Sequence, residues 1–253
     1  MIKVIMHGCN GRMGQMITNI IAQDPMVEIV EGVDISDHIT NTYPVVNHIS
    51  QCTQKADAII DFGATAAIDD LIDYCVECKI PCVFCTTGLS EEQVAKIKAA
   101  SEKVAVLRSA NMSVGINLLM KILKEAAPKL AEAGFDIEIV EKHHKMKLDA
   151  PSGTALALAD TINDSLDQAY TYTYDRSQQR QKRDDKEIGI SAVRGGTIVG
   201  DHDVIFAGTD EVVTFSHIAY SRAIFGKGAV QAAKFLAGRK PGLYDMSDVI
   251  NEE

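Results

Sequence analysis

Strand-like and helix-like stretches alternate along the first part of this chain, and that alternation constrains the fold more than any other feature. Residues 2 to 6, Ile-Lys-Val-Ile-Met, form a short apolar run that ends in a glycine-rich turn, and Met13, Ile17, Ile20 and Ile21 then recur at helical spacing. Asp24-Pro25 stops that helix, and Val27 to Val33 makes a second strand that closes on Asp34. The pattern predicts a strand at 57 to 62, a helix near 66 to 78, a strand at 80 to 85, a helix near 91 to 102 and a strand at 104 to 108. Ser90 followed by Gln93 is a capping-box signature for the second of these helices. Strands alternating with helices imply a parallel sheet covered on both faces.

After Asn111 the texture changes. A long helix is expected near 114 to 132, a strand at 136 to 142, a polar motif, and a helix near 154 to 166. Residues 170 to 187 are polar, tyrosine-bearing and charged, which reads as a mobile loop. Ile190 to Val193, Val204 to Phe206 and Val212 to Ile218 are β-rich runs punctuated by glycine, and Gly226 to Ala237 is again helical and expected to pack on the first domain. The fold class expected is α/β: an N-terminal Rossmann-type dinucleotide-binding domain of residues 1–112 plus 221–253, and a second α+β domain, 113–220, for substrate binding and oligomerisation.

With 253 residues and 46% apolar side chains the chain can bury a core of either one large or two modest domains. A formal net charge of -10 argues against a nucleic-acid partner, so any bound anion must be met by a local site. No apolar run reaches the length of a bilayer span, and the chain begins in a strand rather than a signal-peptide pattern, so a cytoplasmic protein without a membrane partner is expected. Cys75, Cys78, Cys82 and Cys85 carry a spacing that superficially suggests zinc or an iron–sulfur cluster. Zinc-ligand pairs stand further apart, and the better reading is a helix end followed by a strand, with thiols as small buried hydrophobes and no metal.

Gly8, Gly11 and Gly14 sit three apart at the first strand-to-helix junction. There the missing side chains let backbone approach a pyrophosphate, and the helix dipole favours an anion. Glycines at this spacing can also form an ordinary tight turn. Asp34 favours the dinucleotide, because it ends the second strand 20 residues after Gly14, where a carboxylate accepts hydrogen bonds from ribose hydroxyls. The next residue, Ile35, cannot pair with a 2'-phosphate, which leans towards NADH; Arg12 in the glycine loop leaves NADPH open.

The run from Glu141 to Thr154 holds two histidines, three lysines and a helix start. His143 and His144 are adjacent, so on a strand they face opposite ways, and no neighbouring group completes a metal shell. Ser152, Gly153 and Thr154 offer hydroxyls and backbone N–H groups at a helix N-terminus, a natural carboxylate receptor. Lys147 can neutralise or protonate a bound anion, and a histidine can exchange a proton near neutral pH. A solvated basic loop before a capped helix is the plainer alternative.

At this point the sequence resembles the dihydrodipicolinate reductase family. The resemblance covers Gly8-Cys9-Asn10-Gly11-Arg12-Met13-Gly14, Thr86-Thr87-Gly88, Ser109-Ala110-Asn111, Ser113-Val114-Gly115 and the block from His143 to Thr154. It resumes at Arg194-Gly195-Gly196, Phe206-Ala207-Gly208, Ser221-Arg222 and Pro241 to Met246. It implies reduction of 4-hydroxy-tetrahydrodipicolinate to tetrahydrodipicolinate with loss of water, in the diaminopimelate route to lysine, using NADH or NADPH. It further implies that His143 and Lys147 transfer protons and that His144, Gly153 and Thr154 contact a small dicarboxylate substrate, to which the reading of the helix start adds Ser152. Cofactor contacts are implied at Gly8, Cys9, Asn10, Gly11, Arg12, Met13, Asp34, Cys85, Thr86, Thr87, Ala110, Asn111, Met112 and Ser113. A homotetramer assembled through the second domain follows by resemblance, and binding in a cleft between two domains implies closure about hinges near Asn111 to Val114 and Ser221 to Arg222. Cys85, Met112 and Ile35 depart from residues frequent in the family, which touches cofactor preference and nicotinamide packing rather than any reacting group. The rivals are another amino-acid-pathway dehydrogenase of the same architecture, such as an aspartate or homoserine dehydrogenase, and a non-catalytic dinucleotide sensor. The first would not require the block from His143 to Thr154, and the second would show a missing acid or a DNA-binding segment, neither of which the sequence has.

Overall fold

A computed structural model describes residues 1–178 and 180–252. The chain divides into two compact units, Met1–Val114 together with the segment from Ala223 onward, and Gly115–Arg222.

In the first unit the alternation becomes β1 (Ile2–His7), α1 (Arg12–Ile21), β2 (Val27–Val33), β3 (Val45–Val46), β4 (Ala58–Asp61), α2 (Ile68–Cys78), β5 (Cys82–Phe84), α3 (Glu91–Ala100) and β6 (Ala105–Arg108). The strands form one sheet in the order β12-β6-β5-β4-β1-β2-β3, where β12 (Gly242–Tyr244) comes from the end of the chain, and every pairing is parallel. Successive strand side chains point to opposite faces. Val4, Met6, Ala58, Ile60, Val83 and Leu107 therefore pack on one side with Ile17 and Ile21 of α1. Ile5, Ile59, Cys82, Phe84 and Val106 pack on the other with Leu71 and Ile72 of α2 and Ile97 of α3. Burial on both faces is why these strands read as continuous apolar runs. Ser90 caps the helix after it as predicted, its side chain accepting from Gln93 N at 3.2 Å while Gln93 Oε1 accepts from Ser90 N at 3.1 Å.

The second unit begins with α4 (Val114–Glu132, spanning the boundary) and continues with β7 (Asp136–His143), α5 (Gly153–Asp164), β8 (Thr171–Tyr174), β9 (Glu187–Arg194), β10 (Gly200–Ala207) and β11 (Val212–Ala219). The sheet order is β11-β10-β7-β9-β8, with β10 antiparallel to β7 and β11, and β9 parallel to β7 and β8. Ile137, Ile139, Ile188, Ile190, Val204 and Phe206 pack beneath Leu119 and Leu123 of α4 and Leu158 and Ile162 of α5. The chain then re-enters the first unit, where α6 (Ala223–Leu236) buries Ala229, Val230 and Ala233 against the same core as α1, and α7 (Met246–Ile250) follows.

One expectation is corrected. Residues 170 to 187 are not simply a loop: β8 adds an edge strand, pairing Thr171 with Glu187 and Tyr174 with Ile190, and Arg176–Gln178 forms a short 3-10 turn. Tyr-rich alternation suits an edge strand, and Tyr172 donates to Asp160 at 2.7 Å while Tyr170 exchanges two hydrogen bonds with Asn163. Two of the charges that made the stretch look solvated are paired, since Arg176 meets Glu138 and Glu187, and Arg183 meets Asp136 and the Glu187 carbonyl. Gln179 of that stretch lies outside the described residues. Cys85 falls one residue beyond β5 rather than inside it.

Candidate active site

The period of two that buries Ile137 and Ile139 in β7 continues into Glu141 and His143. Both therefore lie on the helix-covered face, where an apolar layer gives way to a polar one. Register supplies their neighbours: Glu141 stands opposite His202 of β10, and His143 opposite Arg194 of β9.

The Glu141 carboxylate is fully buried and fully engaged. Its Oε2 accepts from His143 Nδ1 at 2.6 Å, its Oε1 accepts from Ser152 N at 2.9 Å, and Arg194 grips both oxygens at 2.7 Å. Burial alone would push the Glu141 carboxyl up, but the guanidinium, His143 and the Ser152 amide outweigh it and hold the group below the usual carboxylate range. The His202 ring lies edge-on to His143 with centroids 5.2 Å apart, and burial first, with His143 second, pushes His202 down to about 4. His202 is thus neutral at physiological pH.

Ser152 is the N-cap of α5. Its Oγ accepts from Ala155 N at 3.1 Å and lies 3.1 Å from His202 Nε2, and the residue is only 1% exposed. The Ser152 hydroxyl therefore serves as the cap of α5. Gly153 and Thr154, more accessible, open the helix, where backbone N–H groups and the dipole favour an anion. The loop between strand and helix turns on a bond from Lys147 N to His144 O and carries exposed Met146 and Leu148. Lys147 Nζ lies 2.8 Å from Asp149 Oδ2, and this contact, more than any other, holds the Asp149 carboxyl below its ordinary value. His143, His144, Lys147 and the Gly153-Thr154 turn thus belong to one connected stretch of strand end, loop and helix start.

In the first unit, Gly8 has φ +78°, and a side chain there would press on the Phe62 carbonyl; one at Gly14 would run into the Gly8 and Cys9 carbonyls. Only glycine allows helix α1 to start so close to the strand. Gly11 is the N-cap of α1 and places no side-chain group over the helix N-terminus. Gly8, Gly11 and Asp34 line one cavity of about 500 Å³ with His7, Asn47 and Phe62. Asp34 is oriented by Asn10 N at 2.9 Å and Ser36 N at 3.0 Å, which leaves each carboxylate oxygen a further lone pair. Ile35 is 93% exposed on the cavity rim. Cys9 is buried and its thiol pushed up to about 11, mainly by burial; Arg12 and Met13 open α1. Cys85 to Thr87 follow β5, with Thr86 Oγ1 donating to Gly63 O at 3.1 Å, and Ala110 to Ser113 follow β6, where Asn111 Oδ1 accepts from Ser113 N at 2.8 Å.

Sequence reasoning passed over four residues. Glu141 carried a signal, the alternation with Ile137 and Ile139. Arg194 and His202 reach the site only through strand register. His7, 2.7 Å from Asp61 across paired strands, lines the glycine-loop cavity. Among the described residues no three His, Cys, Asp or Glu side chains are grouped to hold a metal, and all six cysteines are free.

The pattern described as dihydrodipicolinate reductase, N-terminus, matches residues 2–112, and that described as dihydrodipicolinate reductase, C-terminus, matches residues 115–250. The chain belongs to the dihydrodipicolinate reductase family. A 4-hydroxy-tetrahydrodipicolinate reductase of Caldanaerobacter subterraneus subsp. tengcongensis is 51% identical over 252 residues, covering 100% of this chain and 99% of that one. The dipicolinate-bound dihydrodipicolinate reductase of Paenisporosarcina sp. TG-14 superposes with a TM-score of 0.82 at 26% identity, covering 98% of this chain and 99% of the other. An aspartate dehydrogenase of Thermotoga maritima, the kind of rival the architecture allowed, shares the fold alone, with a TM-score of 0.51 at 12% identity over 95% of this chain and 98% of that one.

Proposed function

We propose that this member of the family reduces 4-hydroxy-tetrahydrodipicolinate to tetrahydrodipicolinate, with loss of water, in the diaminopimelate route to lysine. The observation that carries the reading is the joining of His143 and Lys147 to the N-terminal turn of α5, within a chain that the family patterns match over both units. A nicotinamide dinucleotide, when bound, supplies the hydride. The first-unit cavity suits it: Gly8 and Gly14 admit its backbone approach, α1 offers an uncapped N-terminus to the pyrophosphate, and Asp34 accepts from the ribose hydroxyls.

The residues of the second unit do the rest. The Gly153-Thr154 turn, whose Gly153 backbone already donates to the Asp149 carboxylate, receives a substrate carboxylate in its place, with His144 beside it. Lys147 leaves Asp149 to neutralise the dianion and to protonate the leaving hydroxyl or the ring, and His143 exchanges a proton through Nε2, the nitrogen that Glu141 does not hold. The dipicolinate in the Paenisporosarcina structure supports a small planar dicarboxylate as the ligand class.

NADH is favoured slightly over NADPH, because exposed Ile35 offers a 2'-phosphate no charge, while Arg12 at the start of α1 keeps NADPH in use. We also assign the chain to the cytoplasm as a homotetramer assembled through the second unit, with no nucleic-acid or membrane partner. Six free cysteines suit a reducing compartment, and among the described residues no helix is long and apolar enough to cross a membrane.

The test is oxidation of NADH and of NADPH, followed by absorbance, with substrate generated in situ by a synthase from pyruvate and aspartate semialdehyde. Rapid, synthase-dependent oxidation is expected; its absence in folded protein that binds the dinucleotide would overturn the reading.

A further inference from the structure

We propose that Glu141 is the positioning residue of the proton-transfer machinery: one buried carboxylate that fixes which nitrogen of His143 meets the substrate and ties that nitrogen to the anion-receiving turn of α5. The proposal rests on His143 being the group that exchanges the proton.

A carboxylate only accepts hydrogen bonds, so the 2.6 Å contact to Glu141 Oε2 requires the proton on His143 Nδ1. Nε2 is then the nitrogen left for chemistry, and the fold keeps it clear. Position 200 on the neighbouring strand is glycine, and a Cβ there would stand 3.0 Å from Nε2. The other oxygen of the same carboxylate accepts the Ser152 amide at 2.9 Å, the residue that caps α5 immediately before Gly153 and Thr154. A single side chain therefore sets the distance between the proton-exchanging nitrogen and the backbone groups that receive a carboxylate.

A fully buried carboxylate stays ionised only when it is paired. Arg194 does this with a two-pronged grip, 2.7 Å to each oxygen, and is itself located by the Asp149 carbonyl at 2.5 Å. The charged and titratable groups facing His143 are Glu141 from its own strand, Arg194 from β9 and His202 from β10, and His202 stays uncharged. Glu141 is thus the only anion among them. In the step itself the doubly protonated His143 gives its Nε2 proton to the substrate ring that has taken up the hydride, the neutral imidazole left behind keeps Nδ1–H on Glu141, and one proton taken up from solvent restores Nε2–H.

Three measurements test this on the full chain. In the parent protein, ¹⁵N NMR of labelled histidine, with His143 assigned by the His143→Gln variant, should show neutral His143 protonated on Nδ1; the Nε2–H tautomer would overturn the proposal without any variant having to fold. In Glu141→Gln, kcat should fall roughly 10²-fold, as it does when the partner of an active-site imidazole is removed. NADH affinity should stay within about twofold, because Glu141 is not among the residues that line the glycine-loop cavity. Glu141→Asp keeps the charge but withdraws it, and kcat should recover to within roughly tenfold of the parent. An undiminished kcat in Glu141→Gln would overturn the proposal; should that variant fail to fold, the tautomer of His143 in the parent protein decides alone. A parent chain with no reductase activity would instead overturn the functional reading, which keeps the two failures apart.

Discussion

Replacing His202 should change how the protein meets acid, and the structure sets the size of the effect. In the folded chain His202 is held at about 4, chiefly by burial, against an ordinary value of 6.5. Between those values the unfolded chain binds a proton that the folded chain refuses, so stability falls as pH drops through the window. At about 1.36 kcal/mol per pH unit, the loss from His202 between about pH 7.5 and about pH 4.5 is about 2.5 kcal/mol. His202→Asn removes this penalty, together with the contact to Ser152 Oγ, worth about 1 kcal/mol. The parent should therefore be the more stable protein near neutrality by about 1 kcal/mol, and the variant the more stable near pH 4.5 by about 1.5 kcal/mol. Urea unfolding followed by far-ultraviolet circular dichroism, at one protein concentration across the range, reads both slopes. Acidic groups with lowered values that His202 does not influence, such as Asp24 and Asp149, lose their stabilisation in parent and variant alike and cancel in the difference. Parallel stability curves for the two proteins would refute the argument.

The remaining predictions concern the two sites. Lys147→Ala removes a positioned acid and should lower turnover roughly 10² to 10⁴-fold while fluorescence titration shows NADH still bound; near-normal turnover would sink the assignment of Lys147. Gly14→Ala drives a Cβ against the Gly8 and Cys9 carbonyls, so dinucleotide affinity should drop more than about tenfold, with a lower melting temperature, and an unchanged titration would show that the loop can yield. Ile35→Arg places a guanidinium on the rim beside Asp34 and should raise kcat/KM for NADPH relative to NADH by roughly tenfold; an unmoved ratio would mean the 2'-phosphate is met elsewhere.

Local periodicity carried most of the fold. Val4 and Met6 against Ile5, or Ile17 and Ile21 on one stripe of a helix, announce their element and their buried face without reference to anything distant. The glycine loop and Asp34 were legible for the same reason: a strand, a turn that only glycine permits and a helix start are neighbours in sequence as well as in space. The 170 to 187 stretch misled because its charges looked solvated, whereas Arg176 and Arg183 are neutralised by Glu138, Asp136 and Glu187, partners that only the assembled sheet brings near. Edge strand β8 owes its existence to β9, a partner it does not encode. Short β3 and β12 escaped notice likewise, since two or three residues carry no period of their own.

The sequence by itself determined the two domain types, the glycine loop with its aspartate, and the histidines, lysines and helix cap of the 141 to 154 run, because each is written in contiguous residues whose chemistry is local. Tertiary structure alone decided that Ser152 Oγ caps the helix, that His202 is neutral, and that Glu141 holds His143 with Arg194 behind it. Those outcomes depend on strand register and on burial, which set distances and desolvation between residues up to fifty or more positions apart in the chain.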